Sequence, residues 1–244
     1  MANRLQNKTA IITGGSGSIG TEIGRRYLKE GAKIILTDIK ESDSEAKLIA
    51  DNNMAVYMNQ DVTKESDWKQ VVDETIRQFG HLDILVNNAG IIPKPQTIDK
   101  ISLEEWDKIL NVNLTGNFLG IKQALKNMKK GGSIVNISSI KGLVGTAGGG
   151  PYNVSKGGSQ ILTKVSALDS AYNNYKIRIN SVSPGFIKTS STSKAKIKQV
   201  DQNIPMGHFG FPDDISEICV YLGSNESKYV TGSNFVIDGG YLAQ

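Results

Sequence analysis

Residues 9–20 read TAIITGGSGSIG, and this stretch decides the fold. Its first five residues are mostly apolar or β-branched, which indicates a buried strand, and a glycine-rich turn leads into the pattern of a helix. Glycines in such a turn let the backbone approach a pyrophosphate, whose charge the N-terminus of the helix stabilises. The stretch therefore predicts a dinucleotide site, with candidate contacts at Gly14, Ser16, Ser18, Ile19 and Gly20.

The alternation that begins there continues along the chain. Short apolar runs predict strands over 9–13, 33–37, 84–86, 133–137, 177–182 and 235–237. Longer amphipathic runs predict helices over 18–30, 42–51, 64–79, 102–126, 152–171 and 212–222. Repeated strand–helix–strand units predict an α/β fold, a doubly wound parallel sheet (Rossmann fold) in a three-layer α/β/α arrangement. We predict a single domain over 1–244, in which the polar, aperiodic residues 189–210 form a lid over the substrate.

Composition limits the class of protein. The 244 residues include one cysteine, Cys219, which excludes an internal disulfide framework and fits a reducing compartment. The first residues are polar and lack the apolar core of a signal peptide. No apolar run approaches the roughly 18 residues that a membrane span needs. We therefore expect a cytoplasmic protein without a membrane partner.

The net charge of +4 and the pI of about 9.0 raise the question of a nucleic-acid partner. Lysines cluster over 126–130 and 194–198, but no aromatic residue lies between them to stack on bases. We interpret them as solvated helix faces and expect no nucleic-acid partner. His81 and His208 lie far apart, which disfavours a zinc site, and the absence of Gly-x-Ser-x-Gly disfavours an α/β-hydrolase.

Polar residues recur where ligands of such a sheet bind. Asp38 follows the strand over 33–37, where a carboxylate accepts hydrogen bonds from both ribose hydroxyls and repels a 2′-phosphate. This position predicts NAD rather than NADP, unless Asp38 is only a solvated turn residue. Asp61 and Val62 follow the third strand, at a position suited to the adenine ring. Asn88, Ala89 and Gly90 follow the fourth, over 84–86.

Tyr152 and Lys156 are four residues apart on a predicted helix and therefore share a face. Tyrosine is a poor acid near neutral pH because its pKa is about 10. A lysine ammonium nearby lowers that pKa and makes proton exchange with an alcohol or a carbonyl feasible. The spacing alone decides nothing, because Tyr172 and Lys176 repeat it at a helix end with no reason to face a cofactor.

The first pair differs from the second in its neighbours. Ser139 follows a predicted strand 13 residues before Tyr152, which places its hydroxyl at the ligand edge, where it could polarise a carbonyl. Asn113 is a poor helix former inside a predicted helix, with a small amide able to hold a water. A surface position would explain Asn113 equally well.

These motifs follow one order and together resemble the short-chain dehydrogenase/reductase family over essentially the whole chain. The resemblance rests on the glycine turn, Asn87-Asn88-Ala89-Gly90, Asn113, Ser139, Tyr152-x-x-x-Lys156 and Pro184-Gly185-x-Ile187-x-Thr189. It implies that Tyr152 is the general acid/base, that Lys156 binds the nicotinamide ribose and tunes the tyrosine, and that Ser139 orients the carbonyl. It also implies that Asn113 anchors a water in a proton relay. The implied contacts at the nicotinamide end are Ile187 and Thr189, with Pro184 and Gly185 as further cofactor contacts.

A narrower resemblance, to bacterial (R)-specific secondary alcohol dehydrogenases, rests on residues 205–208, 221–228 and 238–244. It implies a homotetramer that reduces ketones to alcohols and binds magnesium near the C-terminus, with Gln244 as a candidate ligand. Two residues depart from the expected pattern. Ser18 stands where the family has glycine, although the turn also fits Gly15-x-Gly17-x-x-Gly20, and Asp38 argues against the NADP preference of some subgroup members.

The leading hypothesis is an NAD(H)-dependent oxidoreductase that interconverts a small ketone and a secondary alcohol. Its apolar substrate pocket would consist of 90–95, 143–150, Phe186 and the lid. A 3-oxoacyl-thioester (acyl-carrier-protein) reductase is the alternative, which Asp38 disfavours because biosynthetic reductases usually resemble NADP users. A non-catalytic dinucleotide-sensing protein is a further alternative, although a sensor need not keep Asn113, Ser139, Tyr152 and Lys156 together.

Overall fold

The computed structural model describes residues 3–39, 53–129, 131–189, 192 and 203–244. Within these ranges seven strands form one sheet in the order β3-β2-β1-β4-β5-β6-β7, and all neighbours are parallel. The strands are β1 (Thr9–Thr13), β2 (Lys33–Asp38), β3 (Ala55–Asn59), β4 (Ile84–Asn87), β5 (Gly132–Ile137), β6 (Ile177–Pro184) and β7 (Asn234–Ile237). The strand order reverses between β1 and β4, which confirms the predicted doubly wound sheet.

Both faces of the sheet are buried, which explains the nearly continuous apolar runs of its central strands. All five residues of β1 are buried. Successive side chains point to opposite faces, so Ala10 and Ile12 join one core cluster and Ile11 joins the other. The sheet is therefore the middle layer of three.

Helices cover both faces. They are α1 (Ser18–Lys29), α2 (Glu65–Phe79), α3 (Leu103–Leu110), α4 (Gly116–Asn127), α5 (Gly150–Tyr172) and α6 (Pro212–Gly223), with single 3-10 turns at Ile98–Lys100, Ile140–Gly142 and Asn225–Ser227. Buried side chains of α1 and α6 pack on the Ile12 side, and those of α2, α4 and α5 pack on the Ile11 side. Within the part of the chain that the structure describes, no helix combines the length and the apolar character needed to cross a membrane.

Some predicted elements differ from the structure. The helix predicted over 102–126 is divided into α3 and α4 by a π-helical turn at Asn111–Thr115. The strand ranges predicted from the sequence omit β3 although Ala55–Met58 are apolar; most of its residues are only partly buried, because β3 lies at the edge of the sheet. The helix predicted over 42–51 lies outside the described residues, and so does most of the predicted lid.

Candidate active site

A cavity of about 470 Å³ opens at the carboxyl ends of β4, β5 and β6. Three predicted catalytic residues, Ser139, Tyr152 and Lys156, line it. The predicted cofactor contacts that line the same cavity are Ile19, Asn88, Gly90, Pro184, Gly185, Ile187 and Thr189. The predicted contacts that do not line it are Gly14, Ser16, Ser18, Gly20, Asp38, Asp61, Val62 and Ala89. The structure thus brings the predicted catalytic groups together with the nicotinamide end of the predicted cofactor site.

The turn after β1 needs glycine at two positions. Gly14 has a φ of +64°, and a Cβ there would lie 2.8 Å from the Cα of Ala89. A Cβ on Gly20 would lie 2.2 Å from the carbonyl oxygen of Gly14, so the first turn of α1 packs directly on the loop. Ser18 is the first residue of α1. Gly17, which precedes it, is extended and has no side chain to cap the helix. The first turn of α1 therefore presents backbone N–H groups without a side-chain cap, which fits a pyrophosphate.

Thr13 and Asn88 join the ends of β1 and β4. The Thr13 hydroxyl accepts the backbone N–H groups of Asn88 and Ala89, each at 3.0 Å. The Asn88 amide nitrogen donates to the carbonyl oxygens of Thr13 at 2.9 Å and Gly14 at 3.1 Å. Asn88 and Ala89 therefore fix the shape of the glycine turn, a role that the sequence analysis did not assign to them.

Asp38 is the last residue of β2 and lies against the glycine turn. One carboxylate oxygen accepts the backbone N–H of Ser16 at 3.1 Å, and the other accepts that of Ile39 at 2.8 Å. The Ser16 hydroxyl shares a hydrogen bond of 3.1 Å with the hydroxyl of Tyr57 from β3. Sequence analysis missed Tyr57 because its contact with Ser16 arises only when β3 pairs beside β2. A carboxylate held here fits a ribose with free hydroxyls.

Asp61 and Val62 shape the turn between β3 and α2. The Asp61 carboxylate accepts the Thr63 backbone N–H at 3.0 Å and the Thr63 hydroxyl at 2.7 Å. Burial raises the pKa of Asp61, but these hydrogen bonds and the charge of Lys64 together lower that pKa by more. The pKa of Asp61 is therefore below its usual value. The carbonyl oxygen of the buried Val62 accepts the indole N–H of Trp68 at 2.9 Å. The predicted adenine contact stays a prediction.

The π-helical turn buries the side chain of Asn113. Its amide oxygen accepts the backbone N–H of Ile91 at 2.8 Å, and its amide nitrogen donates to the Ile91 carbonyl at 2.9 Å. The same nitrogen lies 3.2 Å from the Ser155 hydroxyl. The amide is therefore engaged with protein atoms and holds the loop after β4 against α5, so a water contact through it stays a prediction.

Ser139, Tyr152 and Lys156 meet where β5 ends beside α5. Ser139 lies near enough to Tyr152 to lower the pKa of the tyrosine hydroxyl. The Lys156 ammonium donates to the Ile137 carbonyl at 2.8 Å and lies 5.8 Å from the centroid of the Tyr152 ring. A Cβ on Gly90 would lie 3.5 Å from this ammonium, so glycine leaves it room. The arrangement presents two hydroxyls and one cation to a single cavity.

Burial controls the acidity of this group. It raises the pKa of the Tyr152 hydroxyl, and Ser139 lowers that pKa by less. Burial also lowers the pKa of Lys156 to about 8. The sequence-based expectation of a lowered pKa for Tyr152 is therefore wrong for the protein alone, because removal from water outweighs the effect of Ser139.

The second tyrosine–lysine pair lies away from the cavity. Tyr172 is the last residue of α5, and its side chain is 86% exposed. Lys176 directly precedes β6 and has a φ of +60°. The two tyrosine–lysine pairs therefore have the same spacing but different surroundings, as predicted from the sequence.

Gln160 supports Ser139 and was missed by sequence analysis. Its amide nitrogen lies 3.1 Å from each of three oxygens: the Ser138 hydroxyl, the Ser139 carbonyl and the Ser183 hydroxyl. It thereby joins α5 to the ends of β5 and β6. The available signal was helical spacing, since Gln160 follows Lys156 by four residues on the same face.

The remaining cavity wall is largely apolar. From the predicted substrate segments it includes Ile92, Pro93, Pro95, Thr146, Ala147, Gly148, Gly149 and Phe186. Leu143 and Val144 are exposed and do not line it. From the described part of the predicted lid, the buried Phe209 reaches the wall, whereas Met206 is exposed. Closure by the lid stays a prediction.

The predicted magnesium ligand has no metal-binding neighbours in the described ranges. They contain no group of three or more His, Cys, Asp or Glu side chains that could hold a metal ion. The side-chain nitrogen of Gln244 donates to the Asn203 carbonyl at 3.1 Å. Gln244 as a magnesium ligand therefore stays a prediction.

A doubly wound sheet with a glycine turn after β1 and a Ser–Tyr–Lys group at its carboxyl edge is typical of nicotinamide-dinucleotide oxidoreductases. A family model described as enoyl-(acyl carrier protein) reductase matches residues 14–242. The chain belongs to the short-chain dehydrogenase/reductase family, which confirms the resemblance, and is an oxidoreductase that uses a nicotinamide dinucleotide.

Several curated relatives align over nearly the whole chain. The NADP-dependent (R)-specific alcohol dehydrogenase of Lentilactobacillus kefiri is 42% identical over 255 residues, covering all of both chains. A 3-alpha-(or 20-beta)-hydroxysteroid dehydrogenase of Mycobacterium tuberculosis is 41% identical, covering all of this chain and 92% of the relative. Glucose 1-dehydrogenase 2 of Bacillus subtilis is 36% identical, covering 98% of this chain and 96% of the relative.

Proposed function

We propose that the protein is an NAD(H)-dependent oxidoreductase that interconverts a small ketone and a secondary alcohol. The observation that carries this proposal is that Ser139 and Tyr152 lie together in the wall of a largely apolar cavity of about 470 Å³. Two hydroxyls at one point suit a single carbonyl oxygen, and the apolar wall suits the carbon chain around it.

The residues divide the chemistry of ketone reduction between them. The Ser139 hydroxyl donates a hydrogen bond to the carbonyl oxygen, and the Tyr152 hydroxyl delivers a proton to that oxygen. The raised pKa of Tyr152 keeps it protonated near neutral pH, as this direction requires. Lys156, held by the Ile137 carbonyl, would hold the nicotinamide ribose. When bound, the reduced dinucleotide supplies the hydride that adds to the carbonyl carbon.

Alcohol oxidation needs the opposite protonation state. Tyr152 must then accept the proton of the substrate hydroxyl as a phenolate. Because burial raises the pKa of Tyr152, this form is scarce near neutral pH. We therefore expect the protein to favour ketone reduction near neutral pH and to oxidise alcohols faster as the solution becomes more alkaline.

The choice of NAD rests on Asp38. Its carboxylate is fixed by the Ser16 N–H at the end of β2, where the 2′ position of the adenosine ribose would lie. A phosphate at that position would meet a like charge at short range. The Lentilactobacillus kefiri relative is NADP-dependent by name, so the proposal depends on this residue of the chain rather than on the relative.

The test is oxidation of NADH and of NADPH with acetophenone, acetoin, diacetyl and an acetoacetyl thioester as substrates. We expect turnover of the ketones with NADH. Turnover of the thioester alone, especially with NADPH, would favour the acyl-carrier-protein reductase alternative and contradict the role given to Asp38. NADH binding without turnover of any compound would favour a dinucleotide sensor.

We also propose that the protein is a homotetramer. Helix α5 carries apolar side chains that are 49–59% exposed at Val154, Ile161, Val165 and Leu168, which share one outer face. A stripe of this kind is typical of a helix face that packs on another copy. Light scattering should give the mass of a tetramer, and Ile161→Lys should yield smaller species. A monomeric wild-type protein would contradict the proposal.

A further inference from the structure

Residues 143–149, the wall segment, form an irregular connection between the 3-10 turn at Ile140–Gly142 and α5. The last four of these residues line the catalytic cavity. Positions 145, 148 and 149 of the segment are glycine. Because glycine loses more backbone freedom on ordering than other residues do, such a segment keeps one shape only where its contacts hold it. The shape of this side of the cavity therefore depends on what fixes the wall segment.

Asn153, the residue after Tyr152 in α5, holds the wall segment with its side-chain amide. Its Nδ2 donates to the Val144 carbonyl oxygen at 2.9 Å and to the Thr146 hydroxyl at 3.2 Å. Its backbone N–H donates to the Gly149 carbonyl oxygen at 3.1 Å. A single residue thus joins the wall segment to the helix that carries the proposed acid.

Gly149 leaves the room that the Asn153 amide needs. A Cβ on Gly149 would lie 2.1 Å from Oδ1 of Asn153 and 2.9 Å from the Thr146 carbonyl oxygen. Gly149 has a φ of −81° and a ψ of −20°, a conformation that other residues adopt without strain. Glycine is therefore required here by its packing against Asn153 and Thr146 and not by its backbone conformation.

The wall segment also contacts the loop after β4. The Gln96 backbone N–H donates to the Gly148 carbonyl oxygen at 3.3 Å. A Cβ on Gly148 would lie 2.9 Å from the Cβ of Pro95, which itself lines the cavity. The two stretches therefore form one continuous wall, and a displacement of the wall segment would change the width of the cavity.

We propose that Asn153 determines substrate selectivity by fixing the wall segment in one position. It is a positioning residue, which acts through the wall and not on the reacting atoms. The inference rests on the proposed function and adds to it a residue that sets which ketones fit. A wall discriminates between ligands of different size only if it does not yield, and one methylene group in a fixed apolar pocket changes kcat/KM by about 10- to 200-fold.

The test measures kcat/KM for the unbranched methyl ketones from 2-butanone to 2-nonanone, with the reduced dinucleotide that the wild type prefers. We expect the wild type to favour one chain length, with a spread of about 100-fold or more between the best and the worst ketone. Asn153→Asp has the same size but lacks the amide donors, and should reduce this spread by about tenfold. The KM for the dinucleotide should stay within about twofold of the wild-type value, as a defect confined to the wall segment requires.

A second variant and a matched control separate selectivity from other effects. Gly149→Ala keeps Asn153 but adds the Cβ that displaces its amide, so it should reduce the spread as Asn153→Asp does. Asn173→Ala is the control, because the Asn173 amide also donates to a backbone carbonyl, that of Asp169 at 2.8 Å, but beyond the far end of α5 and outside the cavity. We expect Asn173→Ala to behave as the wild type does.

Hydrogen exchange followed by mass spectrometry gives a readout that does not depend on turnover. Peptides that cover residues 143–149 should exchange about fivefold faster or more in Asn153→Asp than in the wild type, the effect of losing one hydrogen bond of about 1 kcal/mol. The same peptides should be unaffected in Asn173→Ala. Faster exchange would show that the amide fixes the wall segment.

Several outcomes would overturn the inference. An unchanged spread in Asn153→Asp and Gly149→Ala, even with faster exchange, would refute it and leave the proposed function standing. Equal turnover of all the ketones by the wild type would also refute it. If both variants fail to fold, the wild type decides, and exchange of residues 143–149 as fast as in an unstructured peptide would refute the inference. Failure of every ketone with the wild type would remove the proposed function and the selectivity with it, whatever the exchange shows.

Discussion

Lys156→Met removes a buried charge from the active site, and its effect on stability should depend on pH in a defined direction. The side chain is 5% exposed, and burial lowers its pKa from 10.5 to about 8. This difference corresponds to about 3 kcal/mol of unfolding free energy, at about 1.4 kcal/mol for each pKa unit. The unfolding free energy of the wild type is lowered by this amount while the ammonium stays protonated.

The sign follows from proton binding. Between about pH 8 and about pH 10.5 the unfolded chain keeps the Lys156 proton and the folded chain has lost it. The unfolding free energy of the wild type should therefore rise with pH relative to that of the variant. The expected rise is about 2.5 kcal/mol between about pH 7 and about pH 10. Near pH 7 the wild type and the variant should differ little in unfolding free energy. The variant no longer buries a charge, but it leaves the Ile137 carbonyl without its donor, which costs about 1–3 kcal/mol.

The assay is urea unfolding at one fixed protein concentration, followed by circular dichroism across this pH range. Wild type and Lys156→Met are compared, with Lys33→Met as the control that should track the wild type. A difference that does not change with pH would refute the burial argument. A difference that falls with pH would mean that the folded pKa is raised, as pairing with a Tyr152 phenolate would cause.

Other substitutions test single roles. Tyr152→Phe should lower turnover by about 100-fold or more while NADH binding, followed by fluorescence, persists; near-normal turnover would exclude Tyr152 as the acid. Asp38→Gly should shift the NADH/NADPH ratio of kcat/KM toward NADPH by about tenfold, and an unchanged ratio would contradict its role. Gln160→Glu removes the donor to the Ser139 carbonyl and should lower kcat by about tenfold with little change in the KM for NADH. An unchanged kcat would show that Ser139 does not depend on Gln160.

Local chemistry made much of the fold predictable. The turn after β1 could be predicted because its apolar strand, glycines and helix are contiguous in the sequence. Central strands were recognisable because burial on both faces requires apolar residues throughout. The edge strand β3 also carries an apolar run, Ala55–Met58, but only one of its residues is buried, so its boundaries were not predicted. The π-helical turn at Asn111–Thr115 contains neither glycine nor proline. The local sequence therefore did not predict the break between α3 and α4.

The candidate site was predictable as a set of residues but not as a set of environments. Tyr152, Lys156 and Ser139 could be named from spacing and strand ends. The direction of the pKa shift of Tyr152 could not be predicted, because it depends on burial in the folded protein. The contacts of Gln160 and Tyr57 were also inaccessible, since each partner belongs to another strand or turn.

The pair of hydrogen bonds between Asn113 and Ile91 divides the loop after β4 into two parts. Residues up to Ile91 are fastened to the helices, whereas Ile92 is 78% exposed and, with Pro93 and Pro95, faces the cavity. Under the proposed function, mutations in this outer part would remodel the substrate wall without disturbing the proton-transfer groups. Evolution can therefore explore new specificities here while catalytic competence is inherited unchanged.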